Sequence, residues 1–183
     1  MEFFRYERFV EAIAEHGTIA RNVSDDMVRF ENEGDETWSI ELGGASGDRS
    51  LGYDVSPDDL PQRIEDVLHA SGVAEAAVIP TSQWRHVLDL AAFELASDER
   101  WQDIDAEAAL HMNGRDPLAL LPDQYHIVQT MVRAIVEHGE KPEESLTVLA
   151  SDAPIVIEVR PDGTATVRCS HEAVARELVK KLH

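Results

Sequence analysis

Residues 146–169 read LTVLASDAPIVIEVRPDGTATVRC, and apolar residues alternate with polar ones in three short runs of this stretch. Alternation with a period of two residues is typical of β-strands that are buried on one face. The runs predict strands over residues 146–150, 155–159 and 165–169, with a Pro-Asp-Gly turn at 161–163. Because the connections are short, we expect the three strands to form an antiparallel meander.

A helix is predicted on each side of this meander. Upstream, residues 131–139 read MVRAIVEHG, an apolar stripe with helical spacing that ends at a glycine. Downstream, Ser170 fits the N-cap position of a last helix, whose apolar face is formed by Val174, Leu178 and Leu182. The second half of the chain is therefore predicted to run helix–strand–strand–strand–helix.

The same order of elements is predicted in the first half. Residues 9–17 read FVEAIAEHG and match residues 131–139 at six of nine positions. The alternating runs that follow predict three strands, at residues 28–30, 38–42 and 51–55. A helix comes next, beginning at Ser56 or at Pro61 and ending before Gly72. The sequence thus predicts an internal repeat of two αβββα modules.

The predicted fold class is α+β: two three-stranded antiparallel meanders, each covered by helices, with a helical insertion between them. We place the N-terminal module at residues 1–72, the helical connector at 73–122 and the C-terminal module at 123–183. The connector carries an apolar helical stripe that includes Trp84 and Leu88, so it is too apolar to be a flexible linker. Because a three-stranded module is small to stand alone, we expect one compact unit with a shared core.

Charge limits the partners of the protein. The chain has 36 acidic and 16 basic residues, a net charge of −20, and 13 of the basic residues are arginine. An evenly acidic, lysine-poor surface resembles that of proteins from halophiles such as haloarchaea, where molar salt screens the repulsion between carboxylates. The alternative is a mesophile with a GC-rich genome, in which codon bias replaces lysine with arginine. The sequence has no basic cluster, and this argues against nucleic-acid binding.

Three further features narrow the class of protein. A single cysteine, Cys169, excludes an intramolecular disulfide and any site that needs several cysteines. The sequence has no run of about 18 apolar residues, so no membrane-spanning helix is predicted. Residues 1–17 carry charges throughout and lack the apolar core of a secretion signal, which favours a cytoplasmic location. Phosphate-loop and dinucleotide motifs are absent from the sequence, and no cofactor is predicted.

The repeated Glu-His pairs are the first candidate site. Glu15-His16 and Glu137-His138 each stand before a glycine. Two carboxylate–imidazole pairs that met across a pseudo-twofold axis could bind a divalent metal ion. The favoured alternative is structural: each pair ends a helix, the glycine adopts the left-handed conformation, and a protonated histidine complements the helix dipole.

The remaining candidates are single residues or short pairs. Asp123 and His126 lie three apart on a predicted helix, a spacing found in di-metal bundles, but without the matching glutamates; a surface pair is therefore favoured. Cys169 is expected to be a buried apolar residue and not a nucleophile. Trp101 lies among charged residues and is an interface candidate if it is exposed. No catalytic residue is predicted.

These features favour a non-enzymatic, cytoplasmic protein-interaction or regulatory protein from a halophile. The alternative is a small hydrolase or metal-dependent enzyme with its site at the seam between the modules. A seam pocket lined by His16, His138 or Asp123 would favour the enzyme, whereas an apolar patch around Trp101 would favour the interaction protein. The expected partner is another protein or a second copy. A homodimer is slightly favoured, because the C-terminal strands carry few charges to protect an unpaired edge.

Overall fold

The structure, a computed structural model, describes residues 1–150 and 153–183, in which there are seven α-helices and ten strands. The helices are α1 (Tyr6–Ala14), α2 (Leu60–Ser71), α3 (Trp84–Leu95), α4 (Glu99–Gln102), α5 (Asp105–His111), α6 (Tyr125–His138) and α7 (Glu172–Lys181). The strands are β1 (Glu2–Phe3), β2 (Thr18–Asn22), β3 (Val28–Asn32), β4 (Trp38–Leu42), β5 (Ser50–Tyr53), β6 (Ala76–Pro80), β7 (Leu118–Leu120), β8 (Leu146–Ala150), β9 (Val156–Val159) and β10 (Ala165–Cys169). The predicted α+β class is confirmed.

Eight of the strands form one sheet, in the order β1-β7-β6-β8-β9-β10-β4-β5. Neighbouring strands are antiparallel except β4 and β5, which are parallel. The predicted C-terminal meander is confirmed as β8, β9 and β10, which lie in the middle of the sheet. The remaining two strands, β2 and β3, form a separate antiparallel hairpin.

The sheet is covered on both faces. On one face, the helix side, α2, α3, α6 and α7 pack over the main core, which includes Val148 of β8. On the other face, the hairpin side, α1 and the β2–β3 hairpin cover a smaller cluster, in which Ile13 and Phe30 meet Ile79 and Leu149 of the sheet. Consecutive residues of a strand point to opposite faces, so Val148 and Leu149 belong to different cores.

The predicted internal repeat is not confirmed. The first half has no three-stranded meander: β2 and β3 pair with each other, whereas β4 pairs with β10 and β5. The two matching helices also pack on different faces, α1 on the hairpin side and α6 on the helix side. The shared residues specify an amphipathic helix that ends at a glycine. That property is local and does not select the face of the sheet that the helix covers.

Residues 73–122 were predicted to be helical and contain two strands besides α3, α4 and α5. The first of these strands, β6, pairs with β7 and β8, and β7 also pairs with β1. All five residues of β6 are buried. A strand that is buried on both faces has a continuous apolar sequence, here AAVIP, and lacks the alternation by which half-buried strands are predicted.

The C-terminal strands find their partners within the chain. Strand β10 pairs with β4 from Ala165 opposite Leu42 to Cys169 opposite Trp38, and β8 pairs with β6. The edges of the sheet are instead β1 and β5, of two and four residues, and short edge strands resist pairing between molecules. The homodimer was favoured because the C-terminal strands were expected to leave an unprotected edge. These strands are paired within the chain, so this reason no longer supports a homodimer. Among the described residues, no helix is long and apolar enough to cross a membrane.

Candidate functional site

The two Glu-His pairs lie on opposite faces of the sheet and do not meet. Glu15 and His16 follow α1 on the hairpin side, whereas Glu137 and His138 end α6 on the helix side. Glu137 and His138 instead lie near Glu94 of α3, with one potential ligand atom of each residue within 4.8 Å of the others. Both residues of the pair are exposed and Glu94 is half-buried. The fold therefore does not bring the two pairs together, as the metal-binding alternative requires.

The glycines that follow the two pairs are required for different reasons. Gly17 has a φ of 79°, the left-handed conformation expected at the end of a helix. Gly139 has a φ of −75°, which any residue can adopt. A Cβ at Gly139 would lie 2.5 Å from the carbonyl oxygen of Ile135, so the close approach of the backbone requires glycine there.

Asp123 and His126 contact different residues near the start of α4. The Oδ2 atom of Asp123 lies 3.3 Å from Nη2 of Arg100, and Nε2 of His126 lies 2.9 Å from Oδ2 of Asp98. Asp98 is also the N-cap of α4, because its side chain accepts hydrogen bonds from the N–H groups of Arg100 and Trp101. These contacts hold α4 against the start of α6.

Trp101 is buried, so it lacks the exposure on which its role as an interface candidate depended. Only 3% of the residue is exposed, and it belongs to the main core. The indole Nε1 donates a hydrogen bond to Oδ1 of Asp105 at 3.1 Å. Glu99 and Arg100, its charged neighbours in α4, are exposed. The short helix therefore turns its one large apolar side chain towards the core.

A row of polar residues crosses the hairpin side of the sheet. Four residues lie opposite one another in successive strand pairs: Thr147 of β8, Glu158 of β9, Thr166 of β10 and Glu41 of β4. We call these four residues the polar row. Thr147 and Thr166 are 2% and 7% exposed, and the side chain of Glu158 is 13% exposed. Polar groups buried to this extent need hydrogen-bond partners.

Hydrogen bonds satisfy part of the polar row. The Thr166 hydroxyl donates to Oε2 of Glu41 at 2.7 Å and accepts from Nη1 of Arg160 at 3.0 Å. Nη2 of Arg168 donates to Oε2 of Glu158 at 2.5 Å. Nη1 of Arg168 is buried and has no hydrogen-bond partner among the described residues.

The β10 and β4 members of the polar row line a crevice of about 760 Å³. We call it the seam crevice, because residues of the first half, between Ile19 and Arg49, form it together with Thr166 and Arg168 of the second. Its charged lining residues are Arg21, Arg49, Arg168, Glu31, Glu33, Asp35, Glu41 and Asp48. A cavity is thus present at the predicted seam, but His16, His138 and Asp123 are not among the residues that line it.

The β8 and β9 members of the polar row, Thr147 and Glu158, line a smaller cavity of about 250 Å³, the hairpin pocket. It lies where the turn of the β2–β3 hairpin meets the loops before β8 and after β9. Three cationic side chains line it, those of Arg29, Lys141 and Arg160. Its apolar lining residues are Val23, Met27, Val28, Pro142 and Pro161.

A third cavity, of about 480 Å³, lies between α1 and the β1-β7-β6 end of the sheet, and we call it the α1 groove. Its apolar lining residues are Phe3, Phe4, Phe9, Ala12, Ile13, Ala77 and Ala119. The charged or titratable lining residues are Arg5, Arg8, His16 and Glu75. This groove lies on the hairpin side of the sheet, and the residues that line it include none of β2 or β3.

In comparisons with known proteins, no family model, no curated protein and no solved structure matches this chain.

The sequence prediction placed its alternative site at the seam but did not identify the residues that line any of the three cavities. One feature of the sequence could have indicated two of these cavities. Polar or charged residues interrupt strands whose other residues are mostly apolar: Thr147, Glu158, Thr166 and Arg168. Their meaning depends on the register of β8, β9 and β10 and on the pairing of β4 with β10, which bring them onto one face. The α1 groove depends on β6 and β7, which were not predicted as strands.

Proposed function

We propose that the chain is a non-enzymatic, cytoplasmic protein-interaction protein of a halophile, and that it binds its partner in the α1 groove. The supporting observation is the combination of an apolar lining with a basic rim in a protein whose net charge is −20. Phe4 is 39% exposed at the groove. Exposed apolar surface with a polar rim is typical of protein-binding sites.

The basic rim results from the way that α1 distributes its charges. Arg5 at the N-cap of α1, Arg8 within the helix and His16 beyond its end line the groove. The acidic residues Glu7, Glu11 and Glu15, spaced four apart, are exposed and lie outside the lining. The segment from Arg5 to His16 therefore contributes only basic charged residues to the groove lining, and Glu75 adds one carboxylate.

The chemistry of the groove fits an amphipathic helix with an apolar face and acidic flanks. Ala77 and Ala119, paired across β6 and β7, line the groove and are too small to fill it, and Phe4 and Phe9 provide apolar contact area. An apolar helix face laid into such a groove is a common mode of peptide recognition. Arg5 and Arg8 would attract acidic flanks, and this attraction acts at short range when salt screens the net charge.

The test uses two synthetic fluorescent peptides with the same leucine face, one with glutamate and one with lysine flanks. Fluorescence anisotropy in about 0.5 M KCl, where screening is strong, should show binding of the glutamate peptide at least about tenfold tighter than that of the lysine peptide. Arg8→Glu should weaken the binding of the glutamate peptide about tenfold, and Phe4→Ser should weaken it by a similar factor. Equal binding of the two peptides would overturn the proposal.

Matched controls separate the groove from the rest of the surface. Phe93, 89% exposed on α3, and Arg133, exposed on α6, lie outside the groove lining. Phe93→Ser and Arg133→Glu should leave the affinity unchanged within about twofold. Light scattering of the protein alone tests the other occupant. A dimer would have twice the 20.4 kDa mass of the chain. If the protein forms such a dimer and Phe4→Ser dissociates it, the occupant of the groove is a second copy and not an acidic partner.

The seam crevice does not lead us to propose a reaction. The residues that would have supported a hydrolase or metal-dependent enzyme, His16, His138 and Asp123, are separated by the fold and lie outside the crevice. The side chains that line it are arginines, carboxylates, hydroxyls and Trp38, which can bind a polar partner.

A further inference from the structure

We propose that the hairpin pocket binds a small organic carboxylate, a function distinct from partner binding in the α1 groove. The pocket combines apolar walls with a few polar groups, as small-molecule sites do. Its volume of about 250 Å³ suits a ligand of a few carbon atoms.

The positive charges for a carboxylate come from Arg29, Lys141 and Arg160. Lys141 is notable because the other two lysines of the chain, Lys180 and Lys181, lie on α7. Three of only 16 basic residues therefore line one small pocket of a strongly acidic protein.

The carboxylates that line the pocket are largely engaged by other groups. Glu158 accepts from Arg168 at 2.5 Å, and Nε of Arg29 lies 3.7 Å from the same oxygen. Asp162 accepts from the N–H and the hydroxyl of Thr164 at 3.0 and 2.6 Å. Glu140 is exposed. Nε of Arg160 also lies 3.9 Å from Oδ1 of Asp162, so two of the three cations already face a carboxylate. A further anion in the pocket would therefore depend mainly on Lys141.

Thr81 supplies the observation that points to a ligand. The residue lines the pocket and is 7% exposed, and its hydroxyl has no hydrogen-bond partner among the described residues. Its backbone is fully used: the N–H donates to the carbonyl of Ser145 and the carbonyl accepts from the N–H of Val28. A buried hydroxyl without a partner destabilises the folded protein. Because this oxygen is shielded from solvent, a carboxylate oxygen in the pocket would accept its hydrogen bond once the Thr81 side chain turns towards it.

The loop that carries Lys141 is held in place before any ligand binds. Oε2 of Glu144 accepts hydrogen bonds from the N–H groups of Glu140 and Lys141 at 2.6 and 2.8 Å. Burial raises the pKa of Glu144, but these two hydrogen bonds and the electrostatic attraction of Lys141 and His86 together outweigh it, so that the pKa lies below its usual range. The carboxylate is therefore charged at neutral pH and fixes the backbone of Lys141 beside the pocket.

Butyrate is the probe, and butyramide, which has the same shape without the charge, is its matched control. Changes in the backbone amide NMR signals of Val28 and Thr81 report binding during titration at constant ionic strength. We expect butyrate to saturate with a Kd on the order of 1 mM and butyramide to bind at least about tenfold more weakly. Equal effects of the two compounds, or no change at tens of millimolar butyrate, would show that the pocket holds only water.

Two lysine variants test the charge. Lys141→Met should weaken butyrate binding at least about fivefold. Lys180→Met removes the same charge from the exposed surface of α7 and should leave the affinity unchanged. If the two variants have the same effect, the affinity reflects net charge and not the pocket.

Two threonine variants test the unpaired hydroxyl. Thr81→Val removes a hydroxyl that has no partner in the described part of the chain, so it should raise Tm while it weakens butyrate binding about fivefold. Thr166→Val removes a hydroxyl with two partners, so it should lower Tm. A Thr81→Val protein that loses stability, or that binds butyrate like the unmodified protein, would contradict a ligand role for this hydroxyl.

Discussion

Gly163 and Gly17 have nearly the same backbone conformation in different surroundings. Their φ angles are 78° and 79°. A Cβ at Gly163 would lie 2.9 Å from Cβ of Pro57, whereas a Cβ at Gly17 would meet nothing within 4 Å. Gly163 lies in the turn between β9 and β10, so its contact with Pro57 joins the central meander to the segment that precedes α2.

Replacing each glycine by alanine separates the cost of the conformation from that of the contact. Gly17→Ala should lower the free energy of unfolding by about 1–2 kcal/mol, the cost of the left-handed conformation for a residue with a Cβ. Gly163→Ala should lower the free energy of unfolding by about 1–3 kcal/mol more than Gly17→Ala does, because Pro57 must move to make room for the new Cβ. Urea unfolding of both variants at one KCl concentration measures the difference. Equal decreases in the free energy of unfolding would show that Pro57 can move away from the new Cβ at no energetic cost.

Cys169 is fully buried at the end of β10, in the main core. Burial raises the pKa of its thiol to about 12, because desolvation disfavours the charged thiolate. Only the thiolate reacts with disulfide reagents, so the native thiol should react at least about a hundredfold more slowly at pH 8 than the thiol of the urea-unfolded chain. Absorbance with a chromogenic disulfide measures both rates. Comparable rates would contradict the burial of Cys169.

Helix α4, with four residues, depends on its cap more than the longer helices do. Asp98 accepts two backbone hydrogen bonds there and contacts His126 of α6 at 2.9 Å. An isolated helix of this length is unstable in water. The cap and the burial of Trp101 therefore hold α4 in place together.

Asp98→Ala should lower the free energy of unfolding by about 1–2 kcal/mol through loss of the cap. The control is Ser170→Ala. The sequence predicted Ser170 as the N-cap of α7, but the N-cap is His171, which makes no side-chain capping hydrogen bond. Ser170→Ala should therefore change the stability by less than about 0.5 kcal/mol. Chemical unfolding measures both variants, and the reverse order of effects would contradict the capping role of Asp98.

At the scale of the whole molecule, the net charge of −20 opposes compactness at low salt. Thermal unfolding followed by circular dichroism should show a clear rise in Tm between about 0.1 M and 2 M KCl, because the Debye length falls from about 10 Å to less than 3 Å. A protein of similar size and near-zero net charge is the control. A Tm that stays constant over this range would remove the main support for a halophilic origin.

Sequence patterns predicted the elements whose signals are local. Alternation identified β4, β8, β9 and β10, and the helical stripe of Trp84, Val87, Leu88 and Ala91 identified α3. Gly72 was correctly predicted as the end of α2, where its φ is 70°. Each of these signals depends on residues within one turn of helix or one strand, so it can be read without knowing the partner of the element.

The tertiary structure decided how these elements pair and which faces they cover. Glu41 and Thr166 are hydrogen-bonded although 125 residues separate them in the chain, and no local pattern specifies that β4 pairs with β10. Helices α1 and α6 belong to segments that match at six of nine positions, yet they cover opposite faces, because an apolar stripe fits any apolar surface of suitable shape. The polar row and the three cavities exist only once these long-range pairings are made, since each is formed by segments from distant parts of the chain.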